Sequence, residues 1–407
     1  MTDAINHHTR DFIRQHQHDD VRQLALQGSK NPEVDLTMAL QQIAGRQTAR
    51  KKLPSWAAID DILYPPHLNM EQCSSEQTAR YKAVLAGSGD SFVDLTGGFG
   101  VDFYWMSQQF KQRVYIEQNA ELCTLAEHNF HVLNHPTSVY CCDTATYLAD
   151  MPHVDVAFLD PARRNEHGGR TYDIKDCTPN ILELLPTLRK KATKVVLKLS
   201  PMLDWRKAVS DLKHVMEVHI VSVDNECKEL LLLLMGNEPT DNLRIVCANN
   251  DSMFEIVRPR RTASSLPTYC EFAPDVLKAP SRPSISNSSY LYEPNASIMK
   301  AGCFDELVAR YPVSQVAANS HLFLSPDEIG NFPGRGFHII AISSMNKKEL
   351  RQSLAGISQA NIAVRNFPMT VQQLRQKLKL RDGGDVYIFA TTAQDGAHQL
   401  YICRKIG

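Results

Sequence analysis

The stretch that decides the fold is Ser91-Phe92-Val93-Asp94-Leu95-Thr96-Gly97-Gly98-Phe99-Gly100-Val101-Asp102. It is typical of a short apolar strand, a glycine turn and the start of a helix. Glycine permits positive φ angles and lets a ligand approach the backbone closely. The helix that follows would point its free amide N–H groups toward the same crevice. A glycine turn alone is weak evidence, so its meaning depends on the residues that follow it.

Four further strand patterns follow at regular intervals, at residues 113–117, 138–142, 154–159 and 194–199. Helical patterns lie between them, at residues 105–110, 120–133, 144–150 and 179–190. This alternation predicts an α/β fold with a doubly wound parallel sheet, in which ligands bind at the carboxyl ends of the strands. Acids stand at or just after four of those ends, namely Asp94, Glu117, Asp143 and Asp160.

The order of these acids suits a nucleoside cofactor. Glu117 lies about 20 residues past the turn, where an acid binds ribose hydroxyls, and Asp143 is placed to accept from an adenine amine. NAD would require G-x-G-x-x-G beside its pyrophosphate, and this chain has no third glycine at that spacing. Asp94 would also repel a pyrophosphate, whereas a cationic sulfonium tolerates an acid. S-adenosylmethionine is therefore favoured over NAD.

These motifs resemble those of class I S-adenosylmethionine-dependent methyltransferases, whose first motif is an acid followed by alternating glycines. Thr96 departs from that pattern, because a glycine is usual there. The resemblance implies a Rossmann-like seven-stranded sheet that ends in a hairpin, here residues 219–223 and 230–235, with the last strand antiparallel. It predicts that the cofactor-binding residues are Asp94, Thr96, Gly97, Gly98, Phe99, Gly100, Glu117, Asp143 and Thr144.

The predicted catalytic motif is Asp160-Pro161-Ala162-Arg163-Arg164. It resembles the Asn/Asp-Pro-Pro-aromatic motif of amino-methylating relatives, in which the side chain and a carbonyl hold the nucleophile, but the aromatic residue is absent. The resemblance assigns catalysis to Asp160, Pro161, Arg163 and Arg164. The two arginines either bind an acceptor phosphate or pair with Asp173 or Asp176.

Other candidates near this motif have simpler interpretations. Residues 165–170 contain two glycines and are interpreted as a lid, with His167 as an exposed loop residue. Asp-Pro-Pro-Arg occurs in RNA uracil-carbon methylases, which use a separate cysteine nucleophile. Cys227 is a distant candidate for that role, although a cysteine near a hairpin is mostly a packing residue. Cys73 is likewise interpreted as a buried thiol.

Composition limits the remaining alternatives. The 407 residues are 43% apolar and 22% charged, with a formal net charge of −1, so any nucleic-acid surface must be local. We expect no membrane span, because no run of about 18 apolar residues occurs. The start lacks a signal-peptide pattern, and a cytoplasmic protein is expected. Ten scattered cysteines without C-x2-C spacing predict free thiols and no metal site.

The two ends of the chain carry further signals. Residues 1–80 are predicted to be helical, with a cap at Ser74 or Ser75. The basic cluster 46–54 is either a solvated helix end or a contact for substrate phosphates. Residues 242–247 and 253–257 predict a hairpin, residues 262–289 a linker, and residues 332–407 a small α/β module.

The whole chain resembles bacterial methyltransferase-like proteins with a ferredoxin-like segment and a THUMP-like C-terminal domain. The residues that carry this resemblance are Gly45-Arg46-Gln47, Lys52-Leu53-Pro54, Glu71-Gln72-Cys73-Ser74-Ser75-Glu76, Asp160 to Arg164, Glu226-Cys227-Lys228-Glu229, Tyr292-Glu293-Pro294-Asn295, Phe332-Pro333-Gly334-Arg335 and Arg365-Asn366-Phe367-Pro368. It implies four domains: a helical region (1–80), a methyltransferase domain (81–240), a ferredoxin-like or linker segment (241–331) and a THUMP-like domain (332–407).

Three functions follow as hypotheses. The first is a methyltransferase that acts on an RNA base, with RNA implied by the THUMP-like domain alone. For RNA to bind one face, Arg46, Arg50, Lys51, Arg260, Arg261 and Arg365 would have to converge. The second is an RNA-binding or assembly protein whose cofactor pocket is catalytically idle, which the missing aromatic residue suggests. The third is an NAD-dependent oxidoreductase.

Overall fold

The computed structural model describes residues 5–163, 174–235, 241–259 and 289–406. The chain divides into two compact units: the first comprises Met1–Val218 and Leu230–Thr240, and the second comprises His219–Glu229 and Asp241–Gly407. The proposed linker therefore falls almost wholly outside the described residues. The boundaries of the four predicted domains remain a prediction.

The first unit begins with helices, as the sequence predicts. They are α1 (His7–His16), α2 (Val21–Gln27), α3 (Leu36–Lys52), α4 (Pro54–Ala57), α5 (His67–Gln72) and α6 (Glu76–Ala86). Asp20, Asp35 and Ser75 cap α2, α3 and α6 by accepting bonds from backbone N–H groups. Trp56, Tyr64 and Met70 are at most 1% exposed and form a core with Phe99 and Val101 of the glycine turn. The helical region therefore packs directly against the residues of the glycine turn.

A mixed β-sheet with helices between its strands follows, mainly in the same unit. Its strands are β1 (Gly89–Asp94), β2 (Phe110–Glu117), β3 (Ser138–Cys141), β4 (Val154–Leu159), a short pair β5 (Ala162–Arg163) and β6 (Cys177–Thr178), β7 (Ala192–Leu199), β8 (Val215–Val223) and β9 (Glu226–Met235). The helices are α7 (Val101–Met106), α8 (Ala120–Val132), α9 (Thr144–Asp150), α10 (Ile181–Lys191) and α11 (Trp205–Leu212).

The strand order confirms the predicted doubly wound fold. Within the first unit it is β9-β7-β4-β1-β2-β3, with β4, β1, β2 and β3 parallel and β9 antiparallel to β7. The hairpin of β8 and β9 is the one expected at the end of a methyltransferase sheet. The carboxyl ends of β4, β1, β2 and β3 therefore lie side by side, which brings the acids that follow these strands to one edge.

The helix predicted at residues 105–110 is wrong in its position. The helix α7 runs from Val101 to Met106, and β2 already begins at Phe110, which pairs with Gly89. The Phe110 N–H donates to Ser107 O, so a tight turn replaces the last helical turn. The polar residues Ser107, Gln108 and Gln109 coincide with this break, but serine and glutamine also occur within helices, so the sequence pattern did not locate it.

The second unit contains a sheet of its own. Its further elements are β10 (Asn242–Asn249), β11 (Ser252–Pro259), β12 (Tyr290–Pro294), α12 (Ala296–Ala301), α13 (Phe304–Arg310), β13 (Ser314–Gln315), β14 (Phe323–Ser325), β15 (Gly334–Ser343), α14 (Lys347–Ser353), β16 (Asn361–Arg365), α15 (Val371–Leu378), β17 (Val386–Thr392) and β18 (His398–Lys405). The strands β10 and β11 form the predicted hairpin. The sheet order β13-β14-β12-β15-β18-β17-β16 has apolar clusters of alternating strand residues, such as Phe389 with Tyr401 and Ile388 with Leu400.

Two general features complete the description. Nine of the ten cysteines lie in the part of the chain that the structure describes, and all nine are free thiols. No helix in that part is long and apolar enough to cross a membrane.

Candidate active site

The glycine turn is held in place by the strand ends around it. The Leu95 N–H donates to Phe158 O (3.0 Å) and the Gly97 N–H to Ile116 O (2.8 Å), so the backbone extends the ladder beyond Asp94. A Cβ at Gly97 would lie 2.2 Å from the Tyr115 ring, and Gly100 adopts φ +83°. Both positions therefore require glycine. The sheet edge therefore presents bare backbone at this point, beside the crevice in which sheets of this kind bind their ligands.

Thr96 joins the two strand ends that border this crevice. Its Oγ1 accepts a hydrogen bond from the Asp160 N–H (2.6 Å) and faces Asp94 Oδ1 at 3.4 Å, while its own N–H donates to the same carboxylate oxygen (2.9 Å). A glycine could make the backbone bond but not the bond to Asp160. The departure from the usual glycine pattern thus has a structural reason.

Asp94 lies behind the turn rather than in the crevice. It is 1% exposed. Burial raises the pKa of its carboxyl well above the ordinary value, against the Thr96 N–H hydrogen bond, and the neighbouring acids Asp102, Asp160 and Glu117 add to the shift. Asp94 is therefore suited to holding the turn, and its burial removes the repulsion of a pyrophosphate that the sequence suggested.

Glu117, which follows the turn by about 20 residues, is tied back to it. Its Oε2 accepts from the Gly98 N–H (2.8 Å) and its Oε1 from the Asn119 N–H (2.8 Å). The neighbouring Tyr115 hydroxyl donates to Gly98 O. A carboxylate oxygen can accept a second hydrogen bond, so Glu117 keeps the capacity to bind a pair of hydroxyl groups.

Asp143 and Thr144 lie at the start of α9. Asp143 is exposed, and its carboxylate accepts from the Thr146 N–H (2.9 Å) and hydroxyl, which lowers its pKa. The Thr144 hydroxyl donates to Leu95 O (2.7 Å), which fixes this helix start to the turn. Phe99, in contrast, is 4% exposed and packs against Trp56, so its side chain belongs to the helical core.

Asp160 follows β4 directly and contacts a lysine that the sequence analysis missed. The Lys198 Nζ lies 2.6 Å from Asp160 Oδ2 and 3.2 Å from Asp102 Oδ2. Lys82, which is fully buried, lies 3.2 Å from Asp102 Oδ1. One signal was available: Lys198 interrupts the otherwise apolar run from Val195 to Leu199, and a buried charge in a strand needs a partner.

The other predicted catalytic residues are only partly described. Pro161 is buried, and the backbone of Arg163 pairs with Cys177 in a two-stranded ribbon. Arg164, the proposed lid with His167, and Asp173 lie outside the described residues. Cys227 belongs to the second unit, where its Sγ lies 3.4 Å from Ser222 Oγ. Burial raises the pKa of its thiol, and that of the Cys73 thiol, so both are weak nucleophiles at neutral pH.

These residues fit a nucleoside cofactor. The crevice offers a glycine backbone for close approach, a carboxylate at Glu117 for hydroxyl groups and an exposed carboxylate at Asp143 beyond it. Three ionisable carboxylates line or border it, at Glu117, Asp143 and Asp160, and this sign of charge suits a cation better than a phosphate. Within the described residues, no group of three or more His, Cys, Asp or Glu side chains could hold a metal ion.

Comparison with known proteins agrees with this geometry. Residues 334–405 match the model of a THUMP domain-like family, and residues 290–333 match that of a ferredoxin-like domain. The crystal structure of a proposed methyltransferase from Porphyromonas gingivalis W83 is similar over 98% of both chains, with 31% sequence identity and a TM-score of 0.82. None of the curated proteins compared with this sequence matches it.

Two further solved structures are similar to this chain only in part. An rRNA methylase from Streptococcus thermophilus is 11% identical over 40% of this chain and 96% of its own, with a TM-score of 0.30. A proposed methyltransferase from Streptococcus mutans, bound to S-adenosylhomocysteine, is 11% identical over 39% of this chain and 94% of its own, also with a TM-score of 0.30. Likeness at this level says nothing about the function of this chain.

Proposed function

The chain belongs to the class I S-adenosylmethionine-dependent methyltransferases, in the bacterial family with a ferredoxin-like and a THUMP-like domain, and on this premise we propose that it methylates a base of an RNA. The observation that carries the proposal is the row of strand ends β4-β1-β2-β3. There the backbone of the glycine turn, Glu117, Asp143 and Asp160 border one crevice.

In this proposal the turn and the acids share the work of binding. Gly97 and Gly98 let the cofactor lie against the backbone, Glu117 accepts from the ribose hydroxyls, and Asp143 accepts from the adenine amine. Asp94 and Thr96 hold the turn in the geometry that the other residues need. Thr144 keeps α9, and with it Asp143, at a fixed distance from the turn.

When bound, the cofactor supplies an activated methyl group on a sulfonium. The demands on the protein are then positioning and exclusion of water more than strong acid–base chemistry. Asp160 accepts a hydrogen bond from the nucleophilic group and orients its lone pair. Pro161 is buried and fixes the backbone after Asp160. For Arg163 and Arg164 we propose contact with a phosphate of the acceptor.

Two observations support RNA as the acceptor. The first is the THUMP-like domain itself. The second is the distribution of charge: residues 334–405 contain 11 Lys and Arg against 4 Asp and Glu, a net charge of +7, whereas the rest of the chain carries −8. A basic domain in a neutral chain is typical of nucleic-acid binding. The overall charge of −1 therefore conceals a local excess of basic residues.

The basic residues chosen from the sequence give less support. Arg46 donates to Asp60 (2.7 Å), Arg50 to Gln17 and Arg365 to the buried Glu293 (2.7 Å). Arg260 and Arg261 lie outside the described residues. The bonds of Arg46 and Arg50 favour the interpretation of the cluster 46–54 as a helix end over its interpretation as a contact for substrate phosphates. The candidates for RNA contact are instead the exposed lysines and arginines of residues 334–405.

The test is transfer of a labelled methyl group to RNA. We expect the full chain to incorporate tritium from [methyl-³H]S-adenosylmethionine into RNA from a strain that lacks this gene, and not into RNA from the wild-type strain, which is already modified. Asp160→Asn should lower the rate by at least about tenfold if the orientation of the nucleophile is lost. Cofactor binding without incorporation into any RNA fraction would favour the idle RNA-binding protein.

A further inference from the structure

A buried ionic cluster lies beneath Asp160, inside the first unit. Its members come from four separate parts of the chain: Ser74 and Lys82 before β1, Asp102 in α7, Asp160 after β4, and Lys198 near the end of β7. Asp102 and Lys198 have side chains that are 9% and 11% exposed, Lys82 is fully buried, and Asp160 is 37% exposed. Asp160 is therefore the member of the cluster that faces outward.

The hydrogen bonds of the cluster assign a role to each atom. The Ser74 hydroxyl donates to Asp102 Oδ2 (2.7 Å), so its oxygen accepts from both lysines, Lys82 at 3.1 Å and Lys198 at 3.0 Å. An ammonium group has three N–H donors. Those of Lys198 match three acceptors: Asp160 Oδ2 at 2.6 Å, Ser74 Oγ, and Asp102 Oδ2 at 3.2 Å. Its ammonium is thereby held in one position.

Asp160 adds a second carboxylate to the cluster. Two lysines contact Asp102 in the interior, and although burial raises the pKa of Asp102, the two ammonium groups outweigh that effect and lower it. An ammonium group held out of water is stabilised by a carboxylate beside it. The 2.6 Å contact of Lys198 with Asp160 therefore links the buried charges to this outward residue.

We propose that Lys198 is a positioning residue, which holds the Asp160 side chain as an ionised, fixed hydrogen-bond acceptor at the carboxyl end of β4. The inference rests on the proposed function for the part that Asp160 takes in methyl transfer. A carboxylate already paired with an ammonium is a weak base but a good acceptor. Asp160 therefore orients an acceptor group without having to remove its proton before the transfer.

If the cluster has only a structural role, Lys82 and Lys198 should be equivalent. A variant of Lys82 therefore distinguishes a structural role of Lys198 from a positioning role. Lys82 and Lys198 share the partners Asp102 and Ser74, so loss of either leaves the same buried aspartate with one cation fewer. The contact with Asp160 comes from Lys198. Lys82→Met is thus the matched control for Lys198→Met, because both remove one buried charge and both should lower the melting temperature.

The experiment follows the Asp160 carboxyl by NMR in the full chain labelled with [¹³Cγ]aspartate, with Asp160→Asn to assign the signal. We expect the wild-type signal to stay that of a carboxylate from about pH 8 down to about pH 5. In Lys198→Met its midpoint should rise by at least about one pH unit, a tenfold change in proton affinity. Lys82→Met should leave it near the wild-type value, and Lys198→Arg should restore it.

The inference is overturned if wild-type Asp160 titrates above about pH 5, or if the midpoints of Lys198→Met and Lys82→Met shift equally. Where Lys198→Met does not fold, Lys198→Gln and Lys82→Gln provide the same comparison, because an ordinary aspartate also stays ionised above about pH 5 and the wild-type signal alone cannot support the inference. Calorimetric titration of the same wild-type sample with S-adenosylmethionine keeps the two proposals apart. Absence of binding there counts against the proposed function and leaves the NMR result interpretable.

Discussion

Thr96 is the residue at which this chain departs from the glycine pattern of its family, and the structure gives that departure a purpose. Its hydroxyl oxygen accepts a hydrogen bond from the Asp160 N–H (2.6 Å), while its backbone N–H donates to the buried Asp94 carboxylate. One side chain therefore couples the glycine turn to the first residue of the proposed catalytic motif. A glycine at this position would leave the Asp160 N–H to find another acceptor.

Replacement of this hydroxyl should be measurable in both stability and binding. Thr96→Val keeps the shape but leaves the Asp160 N–H without its acceptor, so we expect the free energy of unfolding to fall by about 1–3 kcal/mol. Affinity for S-adenosylmethionine should fall with it. Thr96→Ser keeps the hydroxyl and should stay within about 0.5 kcal/mol of the wild type. Urea unfolding of the three proteins checks this, and equal stability of Thr96→Val and Thr96→Ser would contradict it.

The sequence was a good guide to the acids and a poor one to their partners. The four acids stand at or just after the ends of strands whose apolar runs are easy to recognise: Asp94, Glu117, Asp143 and Asp160. Their common edge of the sheet follows from the parallel fold. Lys198, Lys82 and Asp102 are distant in sequence from each other. Which lysine pairs with which aspartate depends on the packing between elements, and a local sequence pattern contains no information about that pairing.

At the scale of elements, most strands and helices lie where the sequence predicts them, and α7 is the instructive exception. Its turn at Ser107 is fixed by a contact from far along the chain: His135, which follows α8, is 5% exposed and lies 2.8 Å from Ser107 Oγ. The Ser107 hydroxyl donates to Phe103 O, so it accepts from His135 Nε2–H, and Nδ1 faces Arg113. The break in the helix therefore depends on a tertiary contact.

This histidine gives the fold a pH dependence. Burial, with Arg113 adding to it, lowers the pKa of His135 to about 4. The folded state prefers the neutral ring, so its contribution is complete above the unfolded pKa of about 6.5 and is lost as the pH falls toward 4, by about 3 kcal/mol in total. We expect urea unfolding between about pH 7 and about pH 4.5 to show this loss.

Two variants identify the source of that loss. His135→Gln cannot titrate, so its stability should be lower at neutral pH and should change less with pH. His153→Gln removes an exposed histidine and should keep the wild-type slope. The same slope in His135→Gln and the wild type would show that another group is responsible.

At the scale of the whole molecule, the near-zero net charge is the sum of a basic C-terminal segment and an acidic remainder. The C-terminal 334–405 segment carries +7 while the remainder carries −8, a division that the total charge conceals. Lys347, Lys348 and Arg351 lie exposed on α14. Exposed cations of this kind bind the phosphate backbone and release counterions, so their contribution depends on salt.

We expect the full chain to bind RNA with an affinity that falls steeply with salt concentration. The combined variant Lys347→Gln, Lys348→Gln and Arg351→Gln should bind RNA more weakly. The magnitude of its slope of log K against log salt should be lower by about 2, because each phosphate that is no longer neutralised removes about 0.7–0.9 from that slope. The matched variant replaces three exposed lysines of the first unit, Lys111, Lys190 and Lys207, by glutamine. Equal slopes for both triple variants would exclude α14 as an RNA-binding element.

The central claim is that the glycine turn binds S-adenosylmethionine, and isothermal titration calorimetry of the full chain tests it most directly. Wild type should bind one molecule per chain. Gly97→Ala should bind at least about tenfold more weakly, because its Cβ would lie 2.2 Å from the Tyr115 ring, and Gly330→Ala, where nothing lies within 4 Å, should bind as the wild type does. A folded wild-type chain that gives no heat of binding with S-adenosylmethionine or S-adenosylhomocysteine would contradict the claim.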